Sequence, residues 1–360
     1  MIYWIYQWFK NEILAIPGRV IGLIFLLFMI FFPIVWSHPH LLRILTLCCM
    51  FAVYAASWDM LAGYTGQVNL GQTLFFGVAA YTAGLINIHF SFPPWVTIPC
   101  GALVAVMAGL IVGIPALRLR GFYLSLVTLA FPVIVMGLIL VFPDFTGGEL
   151  GLAGIVRLST SRMADYYISL LVMLGSLFIM YKFTDAQSKW IRTGLILHAI
   201  REDEITARTS GINTTLYKMI TFGVSGFFAG IAGGIYVHFI RIAGPSTLEL
   251  FFSFQAIIWT IFGGIGTIYG AVAGVFILYP MTELLCLHPL GEEIRFILSA
   301  LLLIVVLLFM PEGLTIWIRD KIEVDCPRCK ELNMVLRGNC RICRAPLHRE
   351  TTVKMGGDKV

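Results

Sequence analysis

Long apolar runs constrain this chain more than any other feature of its sequence. About 20 apolar residues in a helix cross the roughly 30 Å hydrocarbon core of a bilayer, where a helix satisfies its own backbone hydrogen bonds. The runs lack the alternation of membrane β-barrel strands, and the chain is only 12% charged, against about 25% in soluble domains. We therefore predict an all-α polytopic membrane protein with about ten transmembrane helices and broken or re-entrant segments. The ten candidate spans are 19–37, 41–62, 72–89, 94–115, 121–142, 166–183, 217–240, 251–269, 271–288 and 296–312.

The basic residues of the loops predict the orientation of these spans. An even number of spans puts both termini on one side, and cytoplasmic loops carry the excess of Lys and Arg. With the N-terminus inside, 20 of the 25 Lys and Arg residues are cytoplasmic, which predicts a multi-pass inner or plasma membrane protein with cytoplasmic termini. The same loops account for the net charge of +5, so no nucleic-acid partner is expected. The basic residues assigned to the outer side are Arg43, Arg157, Arg162, Arg241 and Arg295.

A dense charged segment, "AIREDEITARTSGI", interrupts this apolar chain. It lies in the longest charged loop between spans, 184–216, and its three-and-four spacing predicts one helix over 193–210. Glu204 and Arg208 stand four residues apart in the favourable orientation, and Gly211 supplies the left-handed residue that commonly follows a helix. Two interpretations remain open: a helix that docks into a groove on another protein, or a solvated helix that joins two spans.

Two glycine-rich stretches, "GYTGQVNLGQ" and "GGIGTIYG", interrupt spans in the two halves of the chain. Broken membrane helices are tolerated where protein or a water-filled cavity covers them, and paired interruptions indicate a central transport site. Alternatively, the amides of the first stretch hold neighbouring helices together. The glycines of "SGFFAGIAGG" instead predict close helix packing. The candidate translocation-pathway residues are Gly63, Gly66, Gln67, Asn69, Gly71, Gln72, Gly263, Gly264 and Gly266.

The chain carries no evident energy source of its own. It has no G-x-x-x-x-G-K-[ST] loop, the device that cradles ATP phosphates. Secondary transporters place paired ionisable residues within their spans, whereas here Asp59, Glu283 and His238 lie near predicted span ends. The sequence therefore predicts a non-enzymatic transport subunit driven by a partner. The alternative is a secondary transporter or channel for small solutes.

Further motifs complete a pattern that resembles a known family. With the two glycine interruptions, the chain resembles the permease subunits of branched-chain amino-acid ABC importers, most closely the LivM type, over about 40–315. Asn69 and Gln72 depart from the residues usual in that family. The additional motifs are "LRLRGFYLSLVTL" (117–129), "TGGELGL" (146–152) and "MPEGL" (310–314).

The resemblance implies a half-transporter that moves branched-chain amino acids or similar small polar solutes. A second, LivH-type permease subunit completes the pathway, two ATPase subunits hydrolyse ATP, and an extracytoplasmic solute-binding protein delivers cargo. The charged loop then matches the family's coupling loop, which fits a groove on the ATPase. The implied coupling residues are Ile200, Arg201, Glu202, Asp203, Glu204, Ala207 and Gly211.

Four cysteines near the C-terminus form the pattern C-x2-C-x10-C-x2-C. Two such pairs can hold a tetrahedral zinc ion, and the stretch resembles small zinc-ribbon tails; iron or free thiols are the alternatives. A membrane-bound zinc enzyme or redox sensor is a further alternative for the whole chain. We expect a permease domain over 1–318, a cytoplasmic zinc-ribbon-like module over 319–348 and a disordered tail over 349–360. The predicted ligands are Cys326, Cys329, Cys340 and Cys343.

Overall fold

The protein is described by a computed structural model. It covers residues 17–36, 38–116, 119, 121–186, 192–285, 297, 301, 304, 305, 308, 312–329, 332–335, 338–340 and 343–347. Contacts divide the chain into two compact units, Met1–Trp36 with Ile316–Val360, and Ser37–Thr315. The predicted domain boundaries stay predictions, and the tail over 349–360 lies outside the described residues.

The described elements are mostly helices. The helices are α1 (Pro17–Val35), α2 (Pro39–Thr65), α3 (Gln72–Phe90), α4 (Pro94–Ala116), α5 (Phe122–Val141), α6 (Pro143–Thr146), α7 (Arg162–Thr184), α8 (Thr193–Glu202), α9 (Glu204–Thr209), α10 (Thr214–Ile240), α11 (Leu250–Gly263), α12 (Ile268–Leu285) and α13 (Leu314–Ile322). The short strands are β1 (Leu152–Ala153), β2 (Ile242–Ala243), β3 (Glu323–Asp325) and β4 (Leu332–Met334).

Six of these helices are long and apolar enough to cross a membrane: α2, α3, α4, α5, α7 and α10. Each coincides with a run predicted from hydropathy, and their backbone groups are satisfied internally as lipid requires. The polytopic membrane fold is therefore confirmed.

The predicted spans 251–269 and 271–288 need correction, because they are not two straight crossings. α11 has 14 residues, about 21 Å at 1.5 Å per residue, and α12 continues from it across a bend of 108°. Gly264 (φ 122°) and Gly266 (φ 80°) form the break in conformations that glycine favours. The pair is a broken span or a re-entrant loop, so the described residues hold six spans, or up to seven.

The first and tenth predicted spans are not among the six full-length spans. The apolar part of α1, Val20–Val35, is shorter than the six full spans. Most of the run over 296–312 lies outside the described residues, which include only 297, 301, 304, 305, 308 and 312 of it, so this span stays a prediction.

α2 forms the centre of the larger unit. It packs against α7, α10, α11 and α12, and a helix that is apolar all round is expected to be buried in this way. Small residues along it allow its neighbours to approach closely. Its residues with no exposed surface include Cys48, Cys49, Ala52, Ala55 and Ala56.

Glycines of α10 bring that helix close to α3 and α4, as the sequence predicted. A Cβ added at Gly226 would collide with the ring of Phe75, and one at Gly233 would collide with the carbonyl of Phe76. Gly230 likewise leaves too little room beside Ala102 of α4. These positions fix the close packing of α10 against α3 and α4.

The bundle of the larger unit has two distinct ends. α7 leads into α8 and α9, and α10 leaves them, so these elements define the α8–α9 end. The opposite end holds the start of α7, the end of α10 and the β1–β2 pair, in which Leu152 lies opposite Ala243.

The smaller unit contains a short antiparallel hairpin. Strand β3 pairs with β4 so that Val324 lies opposite Asn333, and a further bridge joins Asn339 to Pro346. Gly18 at the start of α1 donates its N–H to the Glu323 carboxylate at 2.8 Å. Segments from both ends of the chain therefore build this unit.

Candidate coupling and pathway site

The charged loop forms two short helices, which corrects the single helix predicted over 193–210. Asp203 separates α8 from α9 in an extended conformation, with φ −153° and ψ 106°. Its carboxylate accepts the N–H groups of Ile205 and Thr206 at 2.8 and 3.2 Å and the Thr206 hydroxyl at 2.6 Å. A short acidic side chain that caps the next helix competes with continuation of the preceding one.

The same hydrogen bonds lower the pKa of the Asp203 carboxyl, with the Thr206 hydroxyl contributing most. Because the folded pKa lies below the unfolded one, the cap contributes fully at neutral pH. Its contribution is lost as the pH falls through the folded pKa. The joint between α8 and α9 is therefore formed at physiological pH.

Glu204 ties α9 to the first turns of α10. It pairs with Arg208 at 3.0 Å, which confirms the predicted helix pair, and also with Lys218 at 2.7 Å. Its side chain is 23% exposed, so it is less screened than a fully solvated surface pair. Gly211 adopts the predicted left-handed conformation, with φ 86°.

The α8–α9 segment has a buried face and an exposed face. Gly194 and Leu197 are buried, whereas the apolar side chains of Leu195 and Ile205 are 59% and 64% exposed. Single exposed apolar side chains are common on protein surfaces, and only contiguous apolar patches mark interaction sites. The predicted coupling residues divide between the faces: Ile200, Glu204 and Ala207 are buried or half-buried, and Arg201, Glu202, Asp203 and Gly211 are exposed.

Arg201 reaches from α8 to the break between α11 and α12. A Cβ added to Gly266 would lie 2.8 Å from a guanidinium nitrogen of Arg201. The N–H of Gly266 donates to Oδ1 of Asp59 at 2.7 Å, and Asp59, near the end of α2, is fully buried. Arg201 also interacts electrostatically with Asp59. The charged loop, the central helix and the helix break therefore meet at one point.

The two glycine interruptions lie against each other at this point. A Cβ added to Gly63 would lie 2.5 Å from the Gly266 nitrogen and 2.7 Å from its Cα. Gly263 accepts a hydrogen bond from the Thr315 hydroxyl at 2.6 Å. Beside them, the rings of Tyr64 and His198 pack edge to face with centroids 5.5 Å apart. We call the contact between Gly63 and Gly266 the glycine crossing.

The amides of the first interruption join helices. Asn69 donates to Gln72 Oε1 at 2.9 Å, and Gln72 donates to the hydroxyls of Ser57 and Ser225 at 2.9 and 3.1 Å. The Trp58 indole N–H donates to the Asn69 carbonyl at 2.6 Å. These bonds connect α2, α3 and α10, which favours the helix-joining interpretation for Asn69 and Gln72.

The remaining residues of this stretch surround the turn between α2 and α3. Gly66 ends α2 in a left-handed conformation, with φ 69°. Gly71 allows the turn to approach Thr128 of α5, whose carbonyl a Cβ there would meet. Gln67 is 3% exposed, and its Oε1 has no hydrogen-bond partner within the described part of the chain.

The four cysteines of the smaller unit form one cluster. Their sulfur atoms all lie within 4.8 Å of one another, and tetrahedral zinc with Zn–S bonds of about 2.3 Å places sulfurs about 3.8 Å apart. The Cys329 N–H makes the largest contribution to lowering the pKa of the Cys326 thiol, which favours the thiolate form that binds metals. Asn333 donates to Cys340 Sγ at 3.5 Å. The donor set therefore fits a four-coordinate metal ion.

Comparisons with known proteins identify the class of this chain. The family described as "Branched-chain amino acid transport system / permease component" matches residues 40–307. The chain belongs to this family. The permease is 26% identical to LivM of Salmonella typhimurium, a high-affinity branched-chain amino acid transport system permease protein, over 80% of its own chain and 72% of the relative.

Two other relatives carry different names. The probable branched-chain amino acid transport permease protein LivH of Methanocaldococcus jannaschii is 25% identical over 70% of this chain and 84% of its own. The ribose import permease protein RbsC of Haemophilus influenzae is 24% identical over 77% and 86%. The permease therefore has relatives whose names refer to amino acids and to a sugar.

Sequence reasoning missed two features of the site. The pairing of Glu204 with Lys218 had no signal in the sequence spacing, because the two residues belong to different helices, α9 and α10, and residues 14 apart in one continuous helix would lie about 21 Å apart. The interaction of Arg201 with Asp59 was also missed, because it joins segments that are far apart in the sequence. Asp59 did carry a signal, since an acid within an apolar run is rare and marks a functional position.

Proposed function

We propose that this permease is the transmembrane subunit of an ABC importer for branched-chain amino acids or similar small polar solutes. It works with a second, LivH-type permease, two ATPase subunits that hydrolyse ATP, and an extracytoplasmic solute-binding protein. The contact of Arg201 with the glycine crossing carries this proposal, because it joins an exposed loop to the broken helix pair. The names of relatives in amino-acid and ribose transport support the breadth of the solute class.

The exposed face of α8 and α9 is the proposed ATPase-docking surface. Leu195 and Ile205 supply apolar contact area, and Glu202 and Asp203 supply charges that select the partner. The Asp203 joint lets α8 and α9 fit a groove at different angles. Movement of the bound ATPase then displaces α8 as a lever.

Two contacts transmit this displacement to the pathway. Arg201 lies over Gly266, and His198 packs on Tyr64 at the end of α2. A shift of α8 therefore acts on both sides of the glycine crossing, which we assign to the gate of the pathway. Gln67, whose carbonyl oxygen has no partner in the described structure, is the side chain we assign to solute contact.

The orientation follows from this assignment. The ATPase side is the cytoplasm, so the α8–α9 end is cytoplasmic, and the excess of Lys and Arg in the segments assigned to the inner side supports cytoplasmic termini as well. The four cysteines hold a structural zinc ion in that compartment, where disulfides are disfavoured. With four thiolates bound, zinc keeps no open position for catalysis, and its role is to fold the small module.

Charge reversal on the docking surface tests the proposal. In the assembled complex, we expect Glu202→Arg to release the ATPase subunits during purification while the second permease remains bound. ATP-driven uptake into vesicles should fall at least about tenfold, the effect of losing about 1.4 kcal/mol of interaction. Glu249→Arg, a matched reversal at an exposed residue of the segment before α11, should retain both.

Either of two results would reject the proposal. One is full ATPase retention and wild-type uptake by Glu202→Arg. The other is saturable solute uptake by the permease alone, without ATPase subunits, which would favour the secondary transporter or channel.

A further inference from the structure

A cavity of about 590 Å³ opens at the end of the bundle opposite α8 and α9. This volume lies in the range of about 300–1,000 Å³ typical of ligand pockets. Apolar side chains, including Leu42 and Phe239, form part of its wall. Its basic lining residues are His38, His40, Arg43, Arg157, Arg162 and Arg241.

The charges of this cavity are poorly compensated. Arg157 pairs with the buried carboxylate of Asp165 at 2.6 Å. Arg43, Arg162 and Arg241 form no ion pair with any residue that the structure describes. No acidic side chain of the described residues lines the cavity. Arg43, Arg162 and Arg241 therefore line a common space without an acidic partner among the described residues, and only Arg241 is engaged by a backbone carbonyl, that of Ile155 at 3.3 Å.

Backbone dipoles add to this positive potential. α2 begins at Pro39 without a side-chain cap, and α7 begins at Arg162; both helix starts border the cavity and carry partial positive charge. The carboxyl end of α10 contributes the opposite sign, and Arg241 lies at that end. His40 Nε2 is buried without a hydrogen-bond partner among the described residues. A ligand with several acceptor oxygens would satisfy these donors together.

We infer that this cavity binds an oxyanion, either the phosphate group of an anionic lipid or free phosphate. Guanidinium forks match phosphate oxygens bidentately, and the cavity lies at the ends of membrane-crossing helices, where lipid headgroups are found. The apolar wall suits the glycerol and acyl portion of a lipid. The site lies at the far end from the glycine crossing and does not depend on the transport proposal.

Binding to the full-length permease in neutral detergent tests this inference by calorimetry. The probes are short-chain phosphatidylglycerol, inorganic phosphate and, as a zwitterionic control, short-chain phosphatidylcholine. We expect saturable binding of one or both anionic probes, weakened about tenfold in Arg43→Gln and in Arg162→Gln, because each removes a charge-assisted hydrogen bond. Lys182→Gln, which removes one charge near the other end of α7, is the matched control and should bind as the wild type.

The outcomes separate the two sources of the oxyanion. Binding of phosphatidylglycerol without inorganic phosphate assigns the site to lipid, and binding of both assigns it to oxyanions in general. The inference is overturned if neither anionic probe binds saturably. It is equally overturned if Lys182→Gln weakens binding as much as the two cavity variants, or if both cavity variants bind normally. Because both arginines are exposed at helix starts, a folding defect in one variant leaves the other to decide.

Discussion

Replacing Gly63 by alanine tests the glycine crossing, because it adds one methyl group where the backbone of Gly266 lies. The new Cβ would stand 2.5 Å from the Gly266 nitrogen and 2.7 Å from its Cα. Backbone atoms cannot rotate away as a side chain can, so the helices must separate. Overpacking of this kind costs about 1–3 kcal/mol, and we expect the upper part of that range.

The matched control is Gly175→Ala in α7, where an added Cβ meets nothing within 4 Å. There the same methyl group improves helix propensity by up to about 1 kcal/mol. Thermal unfolding followed by tryptophan fluorescence should place Gly63→Ala roughly 2–10 °C below the wild type and Gly175→Ala at or above it. Uptake should fall in the first variant alone. Equal stability and equal uptake in the two variants would refute the assignment of the glycine crossing.

Two further predictions follow from the contacts described. Arg201→Gln should reduce uptake while the ATPase subunits still co-purify, unlike Glu202→Arg. Adding Asp59→Asn to Arg201→Gln should reduce uptake little further, because mutations of neighbouring residues in one network are non-additive. Independent, additive losses of uptake would contradict the interaction between Arg201 and Asp59. Elemental analysis should find one zinc ion per chain, lost in Cys340→Ser and kept in Cys100→Ser; equal zinc in both variants would contradict the metal site.

The six long spans were predictable because lipid imposes a simple rule on them. A run such as 94–115 must be helical and about 20 residues long, whatever surrounds it. The bend between α11 and α12 escapes that rule. The glycines within 263–266 indicate a break in the helix. The hydropathy of the sequence, however, is the same whether the two helices continue in line or turn by 108°.

The residues of the site were partly predictable, because some of their interactions are local in the sequence. Capping chemistry is local, so Gly211 and the Glu204–Arg208 pair could be read from spacing. The N-cap role of Asp203 could also have been predicted, since Asp is a favoured N-cap residue. One continuous helix was predicted instead, because the three-and-four spacing of residues was given more weight than the capping preference of Asp. The glycine crossing joins segments about 200 residues apart, and a single sequence carries no signal for such a contact.

The hydrogen bond from the Gly266 N–H to Asp59 spans 207 residues of chain, which has a consequence for biosynthesis. At about 5–20 residues per second, the ribosome finishes the second segment roughly 10–40 s after the first. During that interval the Asp59 carboxylate, although already synthesised, lacks its backbone donor. An unsatisfied carboxylate is costly in hydrocarbon, so until the second half of the chain arrives the early helices must remain hydrated, be shielded by the insertion machinery, or carry Asp59 in its neutral, protonated form.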